Sequence, residues 1–177
     1  MTRRILDFDG PDRFVPGTIG PPGERTFFIQ ARQGRALVSV SLEKQQLAVL
    51  AQSLSDLLET VQAGDPLASR GAPGEAGRSL EEPLVDAFRV GTIAVGWDPS
   101  VARVVIEATP VGAESDEPGD PAVSARSDLL RISLPAPAVE AFVALAGALL
   151  AAGRPTCPFC GEALEPDGHF CPRAILN

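Results

Sequence analysis

The sequence predicts an α+β protein made of two tandem strand–strand–strand–helix units, followed by a small metal-binding segment. Three observations predict this architecture. Short segments recur in the same order in both halves of the chain, an amphipathic helical pattern closes each half, and all cysteines and the single histidine lie close together near the C-terminal end. Consecutive short strands most simply pair as hairpins, so we expect a mainly antiparallel sheet with the helices packed on it.

The recurring segments are three stretches in which apolar and polar residues alternate, a period typical of strands. Two arrangements of these strands fit the sequence. The units could be related by a pseudo-two-fold axis, or the strands could form one continuous six-stranded sheet with both helices on one side. The matched segments are residues 14–20 with 88–94, residues 29–31 with 106–108, and residues 40–42 with 132–134.

Apolar residues at helical spacing follow the strands of each half. We therefore predict a duplicated domain over residues 1–154, with repeats at about 5–62 and 84–152, and a metal-binding tail over 155–177. The connecting loop 63–83 and the segment 112–125 are rich in Gly, Pro and charge, which predicts flexible surface loops. The helical positions are Leu47, Leu50, Ala51, Leu54, Leu57, Leu58 and Val61, and then Val139, Phe142, Val143, Ala146, Leu149 and Leu150.

The charge balance disfavours two classes of partner. The chain carries a formal net charge of −8, with 15 Lys and Arg against 23 Asp and Glu. Binding to nucleic acids and to anionic membranes depends on cationic side chains, so we expect neither partner. No apolar run approaches the length of a membrane span, and no signal-peptide pattern follows the first residues. We therefore expect a cytoplasmic protein, in a compartment where thiols stay reduced.

The tail contains the side chains of a zinc site. Cys157 and Cys160 form a Cys-x-x-Cys pair, and His169 and Cys171 point to the same side of an extended segment because they lie two positions apart. Three thiolates and one imidazole fill the tetrahedral shell typical of a structural Zn²⁺. An iron–sulfur cluster usually takes four cysteines, and a redox pair would leave His169 and Cys171 unexplained. The sequence thus predicts a small zinc knuckle or ribbon.

Few catalytic side chains are left once the metal ligands are assigned. The chain has one His and no Tyr, so no second imidazole can act as a general base. Asp7, Asp9 and Asp12 could hold a divalent cation, but we favour a polar entry to the first strand. Glu43 is expected to cap the first helix. We assign no catalytic residue, and we leave open whether the protein is an enzyme.

A Gly-Thr pair occurs once in each half, at Gly17-Thr18 and at Gly91-Thr92. Such a pair could form a loop for a small ligand, but neither copy has the spacing of a phosphate-binding loop. A glycine inside a strand more often marks a bulge or a close approach of the backbone. We therefore favour the structural interpretation for both pairs.

Several spaced motifs together resemble a known family. They are residues 12–18 (DRFVPGT), 42–46 (LEKQQ), 88–92 (FRVGT), 96–98 (GWD), 153–155 (GRP), 157–160 (CPFC) and 168–171 (GHFC). They resemble an uncharacterised actinobacterial family of unknown function, a repeat protein with a C-terminal CPxC…HxC zinc motif. The resemblance covers nearly the whole chain except the two loops. It implies no activity, but members encoded near a histidine-phosphatase-like and a kinase-like protein imply a shared pathway or complex.

Two classes of function fit these observations. The favoured one is a non-enzymatic binding or adaptor protein with a structural zinc ion and protein partners, in which residues 43–46 and 96–98 are candidate surface sites. The alternative is a hydrolase or phosphate-handling enzyme that uses Asp, Glu and a divalent metal in a cleft between the two repeats. A deep cleft lined by two or more carboxylates and an Arg would favour the enzyme.

Overall fold

The computed structural model describes residues 4–64, 79–113 and 127–153, together with Cys157, Phe159, Cys160 and Cys171. Within these residues the chain has the predicted α+β class. The strands are β1 (Ile5–Asp9), β2 (Arg13–Ile19), β3 (Thr26–Gln33), β4 (Ala36–Leu42), β5 (Asp86–Asp98), β6 (Arg103–Pro110) and β7 (Leu129–Leu134), and the helices are α1 (Lys44–Gly64) and α2 (Ala136–Ala151).

All these strands form one mixed sheet, in the order β1-β7-β6-β5-β4-β3-β2. The pairs β4–β5 and β1–β7 are parallel, and the other pairs are antiparallel. β1 and β2 stand at opposite ends of this order, yet only residues 10–12 separate them in the chain, so the sheet bends round on itself. Across this gap, Gln33 Nε2 donates a hydrogen bond of 2.9 Å to the carbonyl of Asp9. The continuous sheet is thus observed, with β1 as a strand that the sequence analysis missed.

One face of the sheet packs against both helices and forms the core. Alternate residues of each strand point to this face, as the two-residue period of a strand requires. The rings of Phe14 on β2 and Phe142 on α2 stack with their centroids 4.5 Å apart. Neither helix in the described part of the chain is long and apolar enough to cross a membrane. The predicted helix positions that are buried are Leu47, Leu50, Ala51, Leu54, Leu58, Val139, Phe142 and Ala146.

Within the described residues, the order of elements after β1 is three strands and a helix, twice over, as predicted. Part of the register agrees with the sequence comparison as well. Ile29 lies opposite Val40 in the first half, and Ile106 lies opposite Ile132 in the second. These are the residues that the comparison treats as equivalent. The origin of the halves as a duplicated unit stays a prediction.

The remaining sequence match does not agree with the register. Pro16 lies opposite Ile29, whereas the residue opposite Ile106 is Val95. The sequence comparison had instead matched Pro16 with Val90. The FVPGTIG and FRVGTIA segments therefore occupy different places along β2 and β5. In the sheet, the residue that corresponds to Pro16 is Val95 and not Val90.

Both Gly-Thr pairs lie where the backbone is closely approached. A Cβ on Gly91 would lie 2.8 Å from the carbonyl oxygen of Pro110, and the β5–β6 register shifts at this position. A Cβ on Gly17 would lie 2.4 Å from Cγ of Leu80. These contacts are the ones that the structural interpretation of the two glycines predicted.

Residues 79–85, which we call the strap, cross the face of β2, β3 and β4 that points away from the helices. Gln30 Oε1 accepts a 2.7 Å hydrogen bond from the N–H of Glu81, and Gln30 Nε2 donates one of 2.9 Å to its carbonyl. The Glu81 carboxylate pairs with Arg13 at 3.3 Å and with Arg32 at 3.2 Å. Residues 79–83 were predicted as part of a flexible loop and are instead bonded to the sheet. Residues 65–78 of that loop lie outside the described residues.

Removing the ion pair between the strap and the buried Arg13 is expected to destabilise the fold. In Glu81→Gln the guanidinium of Arg13, only 5% exposed, loses a carboxylate partner. Breaking a fully buried pair costs about 3–5 kcal/mol and an exposed pair less than about 1 kcal/mol. Glu81 is half-exposed, so we expect a loss of about 2 kcal/mol in the free energy of unfolding, measured in urea. Glu82→Gln, at the exposed neighbouring carboxylate, should change it by less than about 0.5 kcal/mol; equal losses would contradict the prediction.

Candidate metal centre

Three cysteines from the C-terminal segment converge on one point. The Sγ atoms of Cys157, Cys160 and Cys171 all lie within 4.8 Å of one another, and no disulfide joins them. Thiolates bound at about 2.3 Å in a tetrahedral site are spaced by roughly 3.8 Å, so these positions fit a shared ion. Cys157 and Cys171 are 5% and 8% exposed. The cluster is thus close enough and dry enough to hold a metal ion.

The local turn favours the ionised form of the first cysteine. The backbone N–H of Cys160 donates a hydrogen bond that lowers the pKa of Cys157, and the N–H of Phe159 acts in the same direction. Desolvation opposes this effect but is outweighed by it. The thiolate is the form that binds a metal, so a tight turn with inward-pointing N–H groups prepares the site for a cation.

The predicted fourth ligand, His169, lies outside the described residues. The end of α2, which precedes the cysteine segment in the chain, lies beside the first helix. A Cβ on Gly153 would lie 3.3 Å from Nζ of Lys44, which is the first residue of α1. Arg25 from the β2–β3 turn donates a 2.9 Å hydrogen bond to the carbonyl of Ala152. These contacts hold the end of α2 against the body of the protein.

The aspartates near the first strand do not form a metal site in the described part of the chain. Asp9 pairs with Arg103 at 3.1 Å, and Asp12 accepts a 2.6 Å hydrogen bond from the N–H of Gly34. Among the described residues, the cysteines are the group of three or more potential ligands that lies close enough for one ion. The contacts of Asp9 and Asp12 therefore favour the polar entry to the sheet over a cation site.

Glu43 precedes α1 as predicted, but its carboxylate has another task. Its carbonyl accepts the first helical hydrogen bond, at 3.1 Å from the N–H of Leu47, so it is the N-cap residue. Gln46 Oε1 accepts the Glu43 N–H at 2.8 Å, and its Nε2 donates to the carbonyl of Gly91 at 3.0 Å. The Glu43 carboxylate pairs with Arg89 on β5. The sequence analysis missed the role of Gln46, although the Glu-x-x-Gln spacing of a capping box indicates it.

A groove of about 510 Å³ lies between α1 and β5, where the two halves of the sheet meet. Glu43 is the carboxylate that lines it, and the other lining side chains are apolar or uncharged polar ones. The alternative of an enzyme required two or more carboxylates and an Arg in a cleft at this junction. The lining of the groove does not supply that set.

A second cavity, of about 380 Å³, lies on β5–β7 and is lined by Trp97, Asp98, Glu107 and Arg131 among others. The hydroxyl and the N–H of Ser100 donate to Asp98 at 2.6 and 2.9 Å and lower the pKa of that carboxyl group. Glu107 lies 3.6 Å from Arg131. Asp98 is therefore stabilised in the ionised form, the opposite of what a general acid needs. The cavity also belongs to the second half alone, away from the predicted cleft.

Comparison with known proteins places this chain in a family. Residues 6–171 match the family described as Protein of unknown function (DUF3090). The chain belongs to the DUF3090 family. This confirms the resemblance to an uncharacterised family. The matched part of the DUF3090 chain runs from β1 through both halves of the sheet to Cys171, and therefore includes all predicted metal ligands. No curated protein and no solved structure matches the chain.

Proposed function

We propose that this DUF3090 protein is a non-enzymatic binding or adaptor protein with a structural zinc ion bound by Cys157, Cys160, His169 and Cys171. The observation that carries the proposal is the convergence of three sulfur atoms, two of them buried. Thiolates with an imidazole favour zinc over the hard cations that prefer oxygen ligands. Four protein ligands leave no position for a reactive water, which favours a structural role over a catalytic one.

The other polar groups also favour binding over catalysis. The zinc site uses every Cys and the only His of the chain, and the chain has no Tyr. The carboxylates of Glu43 and Glu81 are held in ion pairs, and that of Asp98 is held by its own turn. Phe159 directly precedes Cys160 and is 54% exposed. An exposed aromatic ring on a metal-stiffened turn is a suitable anchor for a protein partner.

The duplicated architecture is part of the same proposal. Ser39 of β4 pairs with Asp86 of β5, and Arg131 of β7 pairs with Asp7 of β1. The two parallel pairings thus follow the same pattern, at the positions that correspond in the two halves. β5 pairs with both β4 and β6, whereas β1 pairs with β7 and β2 pairs with β3, so β1 and β2 together take the place of β5. This pattern supports two βββα repeats, followed by a separate zinc tail over 155–177.

Metal analysis of the purified, untagged chain tests the proposal. We expect one zinc ion per chain by inductively coupled plasma mass spectrometry. Cys171→Ser and His169→Gln each remove a ligand, and both should lower the zinc content below half. Phe159→Ala is the matched control, because it alters the same turn without removing a ligand, and it should keep the full zinc content. A wild-type chain without a stoichiometric metal, or one that holds iron, would refute the zinc site.

A further inference from the structure

We propose that the outward face of β5, β6 and β7, which points away from the helices, binds an extended peptide of a partner protein. The molecule itself contains an example of such binding, because the strap covers the corresponding face of β2, β3 and β4. The inference gives a partner class to the proposed adaptor function, but it uses a surface other than the metal centre.

The strand register defines which residues of the two faces correspond. In the first half, Gly17 lies opposite Phe28, and Phe28 lies opposite Ser41. In the second half, Gly96 lies opposite Val105, and Val105 lies opposite Ser133. Each face therefore has a glycine–apolar–serine row. The neighbouring rows are Val15, Gln30 and Ser39 in the first half and Ala94, Glu107 and Arg131 in the second.

The first face is covered and the second is open among the described residues. A Cβ on Gly17 would meet the side chain of Leu80 from the strap at 2.4 Å, whereas a Cβ on Gly96 would meet nothing within 4 Å. Gln30 and Ser39 are buried, but their counterparts Glu107 and Arg131 are half-buried and exposed. Gly96, Glu107 and Arg131 of this open face are among the residues that line the cavity of about 380 Å³. Among the described residues, this cavity is the counterpart of the place that the strap fills.

The open face offers the same hydrogen-bonding groups as the covered one. On the first face, the amide of Gln30 accepts from the N–H of Glu81 and donates to its carbonyl, so it binds both polar groups of one residue. On the second face, the Glu107 carboxylate is an acceptor and the Arg131 guanidinium is a donor, 3.6 Å apart. The pair can therefore bind a backbone N–H and a backbone C=O together, as Gln30 does.

The chemistry of the bound segment follows from the same comparison. A Leu-sized side chain should occupy the open space over Gly96, as Leu80 covers Gly17. The next residue should not be acidic, because the arginines that pair with Glu81 on the first face have Thr92 and Thr109 as their counterparts. The formal net charge of −8 on the chain also disfavours an acidic residue there and favours Lys or Arg.

Isothermal titration calorimetry can report binding directly, as the change in heat when a peptide is titrated into the full chain. The probes are two blocked octapeptides with the sequence of residues 79–86, one natural (SLEEPLVD) and one with Lys in place of the first Glu (SLKEPLVD). We expect a saturable change with the Lys peptide and at least threefold weaker binding of the natural one. No saturable change with either peptide would overturn the proposal, and so would tighter binding of the natural peptide.

Gly96→Leu fills the space over the face without a clash in the fold. It should weaken binding of the Lys peptide at least tenfold while the melting temperature stays unchanged. Gly147→Leu, at another open glycine on α2, is the control and should bind like the wild type. Equal binding by both variants would overturn the proposal. So would a wild-type dimer that Gly96→Leu dissociates, because a second copy would then occupy the face. Peptide binding should also be measured before and after removal of the metal with a chelator. Because the face contains none of the metal ligands, unchanged binding after chelation shows that this proposal can be tested separately from the zinc site.

Discussion

Treatment of the protein with a strong zinc chelator is expected to open the bonds after Glu162 and Glu165 to a Glu-specific protease, while the sheet and helices stay folded. A segment of about twenty residues cannot bury enough apolar surface to fold alone. A structural zinc ion supplies on the order of 10 kcal/mol or more to such a segment at neutral pH. The buried cluster between sheet and helices contains no cysteine. Loss of the ion should therefore affect the tail and spare the core.

Mass spectrometry of the digest and far-UV circular dichroism give the two measurements. Cys157→Ser should be cleaved at the same bonds without chelator, since it lacks one of the sulfur ligands. Adding Zn²⁺ back to the chelated wild type should restore protection, and adding it to the variant should not. If the cleavage pattern is the same before and after verified removal of the metal, the ion has no structural role. If the circular dichroism signal of the helices is lost as well, the core depends on the metal.

Phe142→Ala should lower the free energy of unfolding by about 3–5 kcal/mol, the range for truncation of a buried aromatic ring. Phe142 is 0% exposed, and its ring stacks on Phe14 where α2 crosses β2. The truncation removes this contact and leaves a cavity that neighbouring strands cannot easily fill. Urea unfolding followed by circular dichroism gives the change.

The matched control for this truncation is the same substitution at an exposed ring. Phe159→Ala should change the free energy of unfolding by less than about 0.5 kcal/mol, because Phe159 lies on the surface of the metal segment. A loss below about 1 kcal/mol for Phe142→Ala would show that α2 is not held against the sheet through this ring.

The helices and most of the core could be predicted from sequence because their signals are local. Leu47, Leu50 and Leu54 repeat at helical spacing, and each is buried against the sheet. The cysteine cluster was equally predictable, since the Cys-x-x-Cys spacing lets two sulfur atoms from one turn reach the same ion. Glu43 was placed correctly before α1 for the same reason, because caps are set within one turn.

The features that were missed depend on contacts between distant parts of the chain. Nothing local in residues 5–9 marks them as a strand, because their partner is β7. Residues 79–83 of the strap were assigned to a flexible loop because residues 63–83 are rich in Gly, Pro and charge, and the bonds of the strap come from Gln30 and Arg13 on other elements. The Gly-Thr pairs suggested a match along the strands that the pairing of Ile106 with Val95 does not support. Register is decided by which side chains reach the core, and a short similar motif does not report it.

The pairing of the first strand with the last has a consequence for how the chain folds. Arg4 and Asp128, which join the two strands by hydrogen bonds, are 124 positions apart in sequence. During synthesis, β1 with its buried Phe8 therefore cannot pair with β7 until β7 has left the ribosome. Such long-range closure raises the contact order, and proteins of high contact order fold slowly. Refolding of this chain should accordingly be limited by the encounter of its first and last strands.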